Sequence, residues 1–272
     1  MQTSELLVTG GTGTLGRRVV ERLRVGGHEA RVMSRSGRPG TVRGDLLTGE
    51  GLDAAVRGVD TIIHCASNTT TDNLPSPRKT RQADVRGTGL LLQVAAAAGV
   101  QHVVFISIVG VDRNPYFFYY RAKVDAEEVV ERSPVPWTIL RATQFHDFLL
   151  GMIRPLVVFP LVAPVPRGLL FQPVDVGEVA DRLVELALSD PAGRAPDFGG
   201  PEIRTLAEFA DGYLRATGGH KRIVEVPIPG RMARALRDGA QVTPGTPRGT
   251  VSWEEFLRER FSPEPRFGVA EA

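Results

Sequence analysis

The sequence is poor in the residues that build covalent or metallic cross-links. A single cysteine, Cys65, excludes an intramolecular disulfide and any multi-thiolate metal site, so a reducing compartment is expected. No apolar run approaches the roughly 20 residues a membrane-spanning helix needs, and residues 1–5 lead straight into an apolar run, leaving no room for a secretory leader. The expectation is a cytoplasmic protein away from membranes. Charge of one sign is also lacking: 33 basic residues stand against 31 acidic ones, a formal net charge of +2. They are interleaved along the chain, which gives nucleic acid little to bind. Lysine is scarcest of all, only Lys79, Lys123 and Lys221, so the position of each carries information. There is no internal repeat.

What is present is an ordinary globular chain of 272 residues, 42% hydrophobic and 24% charged. That is enough for a full core, read as a single domain over 1–272 with a small substrate lobe built mainly from 144–170 and 200–272. Leu6, Leu7 and Val8 form an apolar run too short for a helix, which stops at Thr9 and two glycines and reads as a buried parallel strand. From Leu15 onward Val19, Val20 and Leu23 recur at helical spacing among arginines and Glu21. Between strand and helix lie Gly10, Gly13 and Gly16 in the pattern G-x-x-G-x-x-G. Glycine there permits a tight turn and lets bare N–H groups approach a phosphate at the positive end of a helix. The strand-turn-helix context assigns a dinucleotide to Gly10, Thr12, Gly13, Thr14, Leu15 and Gly16.

A second strand ends near Ser34. An acidic residue in this region marks the ribose hydroxyl of NAD, whereas an arginine accommodates the 2′-phosphate of NADP. From Ser34 to Gly44 there is no Asp or Glu, but Arg35, Arg38 and Arg43 are present. Arg35, at the strand end, is assigned the phosphate and NADP(H) is the preferred cofactor; Arg38 and Arg43 read as solvated loop residues. Asp45 and Leu46 follow a short third strand, where side chains can flank an adenine. A buried strand over 60–67 ends in Ala66 and Ser67, small residues where a cofactor can pass; His64 within it reads as core. The polar, proline-bearing segment 68–77 is placed to cover the site. A long helix over 78–98 and a fifth strand, 102–107, complete an alternation of strand and helix that predicts an α/β fold, a doubly wound parallel sheet of the Rossmann type.

Helical periodicity returns from Phe118 to Arg132, putting Tyr119 and Lys123 on one face. With four tyrosines and three lysines, a Tyr-x-x-x-Lys pair is expected by chance about 0.04 times, so the spacing is informative. A tyrosine stacked on a lysine stem is the bland alternative that spacing does not exclude. At this point the chain resembles the short-chain dehydrogenase/reductase family, in particular its atypical NAD(P)H-binding branch that includes NmrA-like proteins. TGGTGTLGRRVV, GDL, HCAS, FISIVGVD, YYRAK and WTILRATQFHDF stand in the order of that family. The resemblance implies a catalytic set of Ser107, Tyr119 and Lys123. It also implies nicotinamide and substrate contacts among Thr143, Gln144, Phe145 and His146 after the sixth strand, 136–142. The family's helix-borne asparagine is replaced here by Asp84.

Farther on, Phe148, Met152 and the proline-broken run 157–166 read as a substrate-lobe loop more than as core helix. Helices are expected over 174–188, 205–217 and 253–260, with a strand over 222–228 and irregular segments around Pro244, Pro247, Pro263 and Pro265. Phe145, Phe148, Met152 and Phe159 are expected to wall a pocket for a bulky, mostly apolar carbonyl compound, such as a secondary metabolite. His146 is read as binding a polar group of that substrate or as a supporting donor. The chemistry implied is ketoreductase-like hydride transfer between NADPH and a carbonyl, in a monomer or homodimer. Tyr119 would act as acid and base, Lys123 would favour its phenolate and hold the nicotinamide ribose, and Ser107 would orient the carbonyl. Two rivals stay open: a redox-sensing NADP-binding protein, which needs no Ser-Tyr-Lys set, and an epimerase or dehydratase with tightly held NAD(P), which needs basic groups for a diphosphate.

Overall fold

Leu6, Leu7 and Val8 are wholly buried because their strand, β1 (Leu6–Thr9), lies inside a sheet with helices on both faces. The computed structural model describes residues 5–67, 76–243, 245 and 248–261. After β1 come α1 (Thr14–Val25), β2 (Ala30–Ser34), β3 (Val42–Arg43), α2 (Leu52–Val56) and β4 (Thr61–His64). A helical run follows as α3 (Pro77–Thr80), a π-helical turn (Arg81–Arg86) and α4 (Gly87–Ala97). Next are β5 (His102–Ile108), α5 (Phe118–Glu131), β6 (Trp137–Ala142), α6 (His146–Leu156), β7 (Val162–Pro166) and β8 (Leu170–Phe171). The remainder is α7 (Val176–Ala187), β9 (Gly193–Arg194), β10 (Arg204–Thr205), α8 (Leu206–Ala216), β11 (Arg222–Val226), α9 (Arg231–Arg237) and α10 (Trp253–Phe261).

Seven strands form one parallel sheet in the order β3-β2-β1-β4-β5-β6-β9, the predicted Rossmann-type fold. Successive side chains point to opposite faces, so each apolar run feeds two cores. Val8, Ile63, Val104 and Leu140 pack on α1 and α7, while Leu7, Ile62, Phe105 and Ile139 pack on α2, α4 and α5. Each such fully buried side chain contributes roughly 1.5–3 kcal/mol. The chain winds outward from β1 through β2 to β3, then returns to β4 on the other side of β1. This reversal opens a crevice at the carboxyl ends of β1 and β4, where open α/β sheets bind ligands.

A third core, apart from the sheet, joins Leu149 and Ile153 of α6, Val165 of β7, Phe209 of α8 and Trp253 and Leu257 of α10. Here the reading of Phe148, Met152 and the run 157–166 as a loop more than a core helix is corrected. Residues 146–156 are helix, with Leu149, Leu150 and Ile153 buried at three- and four-residue spacing, and Pro155 falls in the final turn, where it spoils little. β7 occupies part of the proline-broken run and pairs in parallel with β11. The expected single helix over 78–98 is helical throughout 77–97 but π-wound across Asp84. Pro244, Pro247, Pro263 and Pro265, and residues 68–75 of the expected covering segment, lie outside the described residues. Among the described residues no helix is long and apolar enough to cross a membrane.

Candidate active site

The glycine turn is tight enough that Gly10 and Gly16 have no substitute. Gly10 has φ +66°, and a Cβ on it would lie 2.7 Å from the Ala66 backbone at the end of β4. A Cβ on Gly16 would collide with the Gly10 carbonyl oxygen, so α1 can lie this close to β1 only with glycine there. Gly13 caps α1 in an extended conformation with no side chain accepting from the first turn. By contrast, Asp175 accepts from Gly177 and Glu178 at the start of α7, and Thr205 and Glu208 form a capping box on α8. The first N–H groups of α1 are thus left for an external acceptor, and Thr12, Gly13 and Thr14 are exposed around them while Leu15 is buried. This is the donor set of a phosphate cradle, and the residues fit a dinucleotide.

Along the adenosine side, Ser34 is buried and its hydroxyl lies 3.0 Å from that of Ser36. Arg35 is exposed and, among the described residues, forms no ion pair, whereas Arg43 pairs with Glu50 at 3.2 Å. Asp45 accepts from Leu47 N at 2.8 Å, shaping its own turn. Leu46 is buried in the core with its backbone tight against Gly87.

Tyr119 and Lys123 sit one turn apart on α5. Tyr119 is half-buried, and its hydroxyl lies 3.1 Å from Ser67 Oγ at the end of β4. Ser67 donates to Asp84 Oδ2 at 2.6 Å. Lys123 is 3% exposed, its Nζ 4.8 Å over the Phe105 ring and donating to Ile106 O at 3.3 Å. Sequence reasoning missed Ser67 as the partner of this tyrosine. The neighbouring Tyr120 is buried and tied to Gln144 and Gln241 at 3.0 and 3.2 Å, and burial holds its phenol above the ordinary range.

Ser107 is placed differently. Its hydroxyl is buried and, among the described residues, makes no hydrogen bond of regular geometry, yet it is near enough to Glu127 to help hold that carboxylate ionised. Burial alone would raise the Glu127 carboxyl, but hydrogen bonds from Arg141 and Arg194, with the Ser107 hydroxyl nearby, outweigh it and hold the group below its ordinary value. Among the described residues the hydroxyl that meets Tyr119 is that of Ser67, not Ser107. Thr143 is buried and accepts from Gly200 N at 3.4 Å.

His64 is pushed down to about 3 by burial, with the Lys123 charge adding to the effect. Thr88 Oγ1 donates to Asp84 O at 2.6 Å, so it must accept from His64 Nε2, 3.0 Å away. His64 Nδ1 is then left to accept from Thr9 Oγ1 at 2.6 Å. Burial pushes the Cys65 thiol up to about 12, against a smaller opposing effect of Lys123, which disfavours its thiolate.

The expected substrate residues are dispersed. Phe145 packs against the α1/α7 core and Met152 against the third core, while Phe148 and Phe159 are about half exposed. His146 is 1% exposed, stacked 5.0 Å from Phe256 and tilted 5.7 Å from Trp253. It presents no nitrogen to a ligand in this structure, because two aromatic rings distant in sequence close over it.

A family model for NAD(P)H-binding proteins matches residues 10–149. Over 242 residues the chain is 28% identical to the chloroplastic High Chlorophyll Fluorescence Phenotype 244 protein of Arabidopsis thaliana, covering 84% of this chain but 59% of that protein. It is 32% identical over 236 residues to the (4-alkanoyl-5-oxo-2,5-dihydrofuran-3-yl)methyl phosphate reductase of Streptomyces griseus, covering 82% and 77%. Among solved structures, UDP-glucose 4-epimerase from Thermus thermophilus in complex with NAD superposes with a TM-score of 0.74 at 22% identity, covering 93% and 96%. A short-chain dehydrogenase/reductase protein of Agrobacterium tumefaciens with bound NAD gives 0.73 at 20%, covering 94% and 95%. With its glycine cradle, its sheet order and the extent of these matches, the chain belongs to the NAD(P)H-binding family, in the atypical branch of the short-chain dehydrogenases/reductases.

Proposed function

We propose that the protein transfers hydride between NADPH and a carbonyl of a bulky small molecule, with Tyr119 as its acid and base. The observation that carries this reading is the hydrogen bond between Tyr119 and Ser67 at the carboxyl end of β4, beside the Gly10–Ala66 contact, with Lys123 one turn along the same helix and donating to Ile106 O of β5. The turn from Gly10 to Gly16 would hold the pyrophosphate, and Arg35 the 2′-phosphate. Asp45 and Leu46 would border the adenine, and Ala66, Ser67, Lys123 and Thr143 the nicotinamide half. When bound, the reduced nicotinamide supplies the hydride. Tyr119 hands its proton to the carbonyl oxygen as negative charge develops there. Lys123, which donates to Ile106 O, steadies the phenolate that remains through its positive charge. Ser107, the hydroxyl the resemblance points to, is the alternative carbonyl-orienting group.

The substrate reading gains an anionic group. A cleft of about 410 Å³ between the loop preceding α5 and helix α9 is lined by Arg113, Tyr116, Arg231, Arg234 and Asp238. Arg231 lies 5.8 Å over the Tyr116 ring, and Arg113 donates to Val242 O at 2.7 Å. Three guanidinium groups against one carboxylate favour a phosphate, the group named in the substrate of the Streptomyces relative. The test compares a 4-alkanoyl butenolide bearing a methyl phosphate with its dephosphorylated alcohol, with NADPH as donor. Arg231→Ala with Arg234→Ala is expected to raise KM for the phosphate about tenfold and leave the alcohol unaffected. Equal preference for the two compounds in the unaltered protein would remove the anionic group from the proposal.

A further inference from the structure

We propose that the outward face of the two-stranded sheet β7–β11, with the arginines around it, docks the protein on an anionic lipid surface. The inference stands apart from the hydride reading above. β7 and β11 pair in parallel, with Pro164 beside Val224 and Pro166 beside Val226. Successive side chains of a strand point to opposite faces, and Ala163 and Val165, wholly buried, point into the third core. The other face carries Val162, Val224 and Val226, which are 40%, 40% and 42% exposed.

Single exposed apolar side chains are ordinary on a protein surface, but here they are gathered. Among the described residues thirteen large hydrophobic side chains are exposed, and eight of them lie within 158–162 and 224–232. The turn into β7 brings Leu161, 80% exposed, whose carbonyl accepts from Arg222 N at 3.2 Å. Past β11 come Ile228 and Met232, both exposed. An apolar surface of this extent marks a place of interaction.

Charge identifies the partner. Arg222 shares the outward face, Arg167 follows β7, and Arg231, Arg234 and Arg237 lie on α9. None of the five forms an ion pair among the described residues. Arg167 reaches Glu225 O at 3.5 Å and Arg237 donates to Ile228 O at 3.1 Å, so both guanidinium groups border the apolar residues. Glu225 alternates to the opposite side of β11 and accepts from Gly168 N at 3.3 Å, which leaves Asp238 at the end of α9 as the opposing carboxylate. A second copy of the chain fits this face poorly, because a two-fold contact sets each arginine border against its own like. An anionic bilayer takes apolar side chains below its headgroups and guanidinium groups among its phosphates. Such docking needs no spanning helix, and there is none among the described residues.

The experiment mixes the full chain with vesicles of phosphatidylcholine alone, or of phosphatidylcholine and phosphatidylglycerol in equal parts, and reads the bound fraction by flotation. Binding to the mixed vesicles that is lost at high salt, with none to phosphatidylcholine alone, is the expected result. Arg167→Glu with Arg222→Glu should weaken the partition about 25-fold or more, since each cation at such a surface is worth about fivefold. Leu161→Ser with Val226→Ser should weaken it too, and because all four positions are exposed the thermal midpoint should hold in both variants. The tryptophan emission added by Leu161→Trp should move to the blue on mixed vesicles, whereas that added by Leu188→Trp on α7 should not. No binding, equal binding to the two lipid compositions, or an unmoved Leu161→Trp band on bound protein would overturn the proposal. A dimer that Leu161→Ser with Val226→Ser turns into a monomer, with vesicle binding unchanged, would also overturn it and assign the face to a second copy.

Discussion

Arg35 and Arg43 carry the same charge at the same edge of the sheet but differ in freedom. Arg43 is engaged by Glu50, whereas Arg35, one residue past β2, has no ion-pair partner among the described residues. A guanidinium so placed can form a charge-assisted, bidentate contact with a 2′-phosphate, worth about 1.5–3 kcal/mol. Arg35→Ala is therefore expected to weaken NADPH roughly 10- to 100-fold and to leave NADH unchanged, as read by fluorescence titration of both cofactors. An unaltered ratio of the two affinities would assign the arginine to solvent. At this scale the sequence was legible where backbone geometry demands a residue type locally, as in the glycine turn, where Gly10 takes a positive φ and packs against the Ala66 backbone. It was silent on Ser67, because its partners Asp84 and Tyr119 lie 17 and 52 residues away.

Among the elements, β1 and α1 were legible because one strand, one turn and one amphipathic stripe are each local patterns. Helix α6 was not, since Pro155 and the exposed Phe148 mask the buried stripe of Leu149, Leu150 and Ile153. The role of His146 depended on α10, which closes over it from more than 100 residues away. Burial pushes His146 down to about 4, against the partial opposition of Asp175 and Glu254. The unfolded chain, near 6.5, then binds the proton first. The stability contributed by the neutral ring is complete above about pH 6.5 and is lost as pH falls toward 4, at roughly 1.4 kcal/mol per pH unit. His146→Phe keeps an aromatic ring between Trp253 and Phe256 and removes the titration. Urea unfolding between pH 7 and pH 4 should show a shallower loss in this variant, and identical slopes would place the acid sensitivity elsewhere, with His64 the next group to examine.

For the molecule as a whole, the order of the sheet decides where chemistry can occur. Because the chain reverses between β1 and β4, the glycine turn, the end of β4 and the tyrosine helix converge on one crevice, while α6, β7, α8 and α10 build a separate core alongside. The alternation of strand and helix made that architecture readable in advance. The substrate side was harder, since the expected apolar wall of Phe145, Phe148, Met152 and Phe159 is shared between cores and solvent, and the arginine cleft beside α9 is assembled from segments far apart in the chain. The central claim is that Tyr119 moves the proton in a nicotinamide-dependent carbonyl reaction. Its most direct test is turnover of NADPH in Tyr119→Phe, measured beside cofactor affinity in the same preparation. A fall in kcat of about 10²-fold or more with NADPH affinity unchanged is the predicted result, and undiminished turnover would contradict the account.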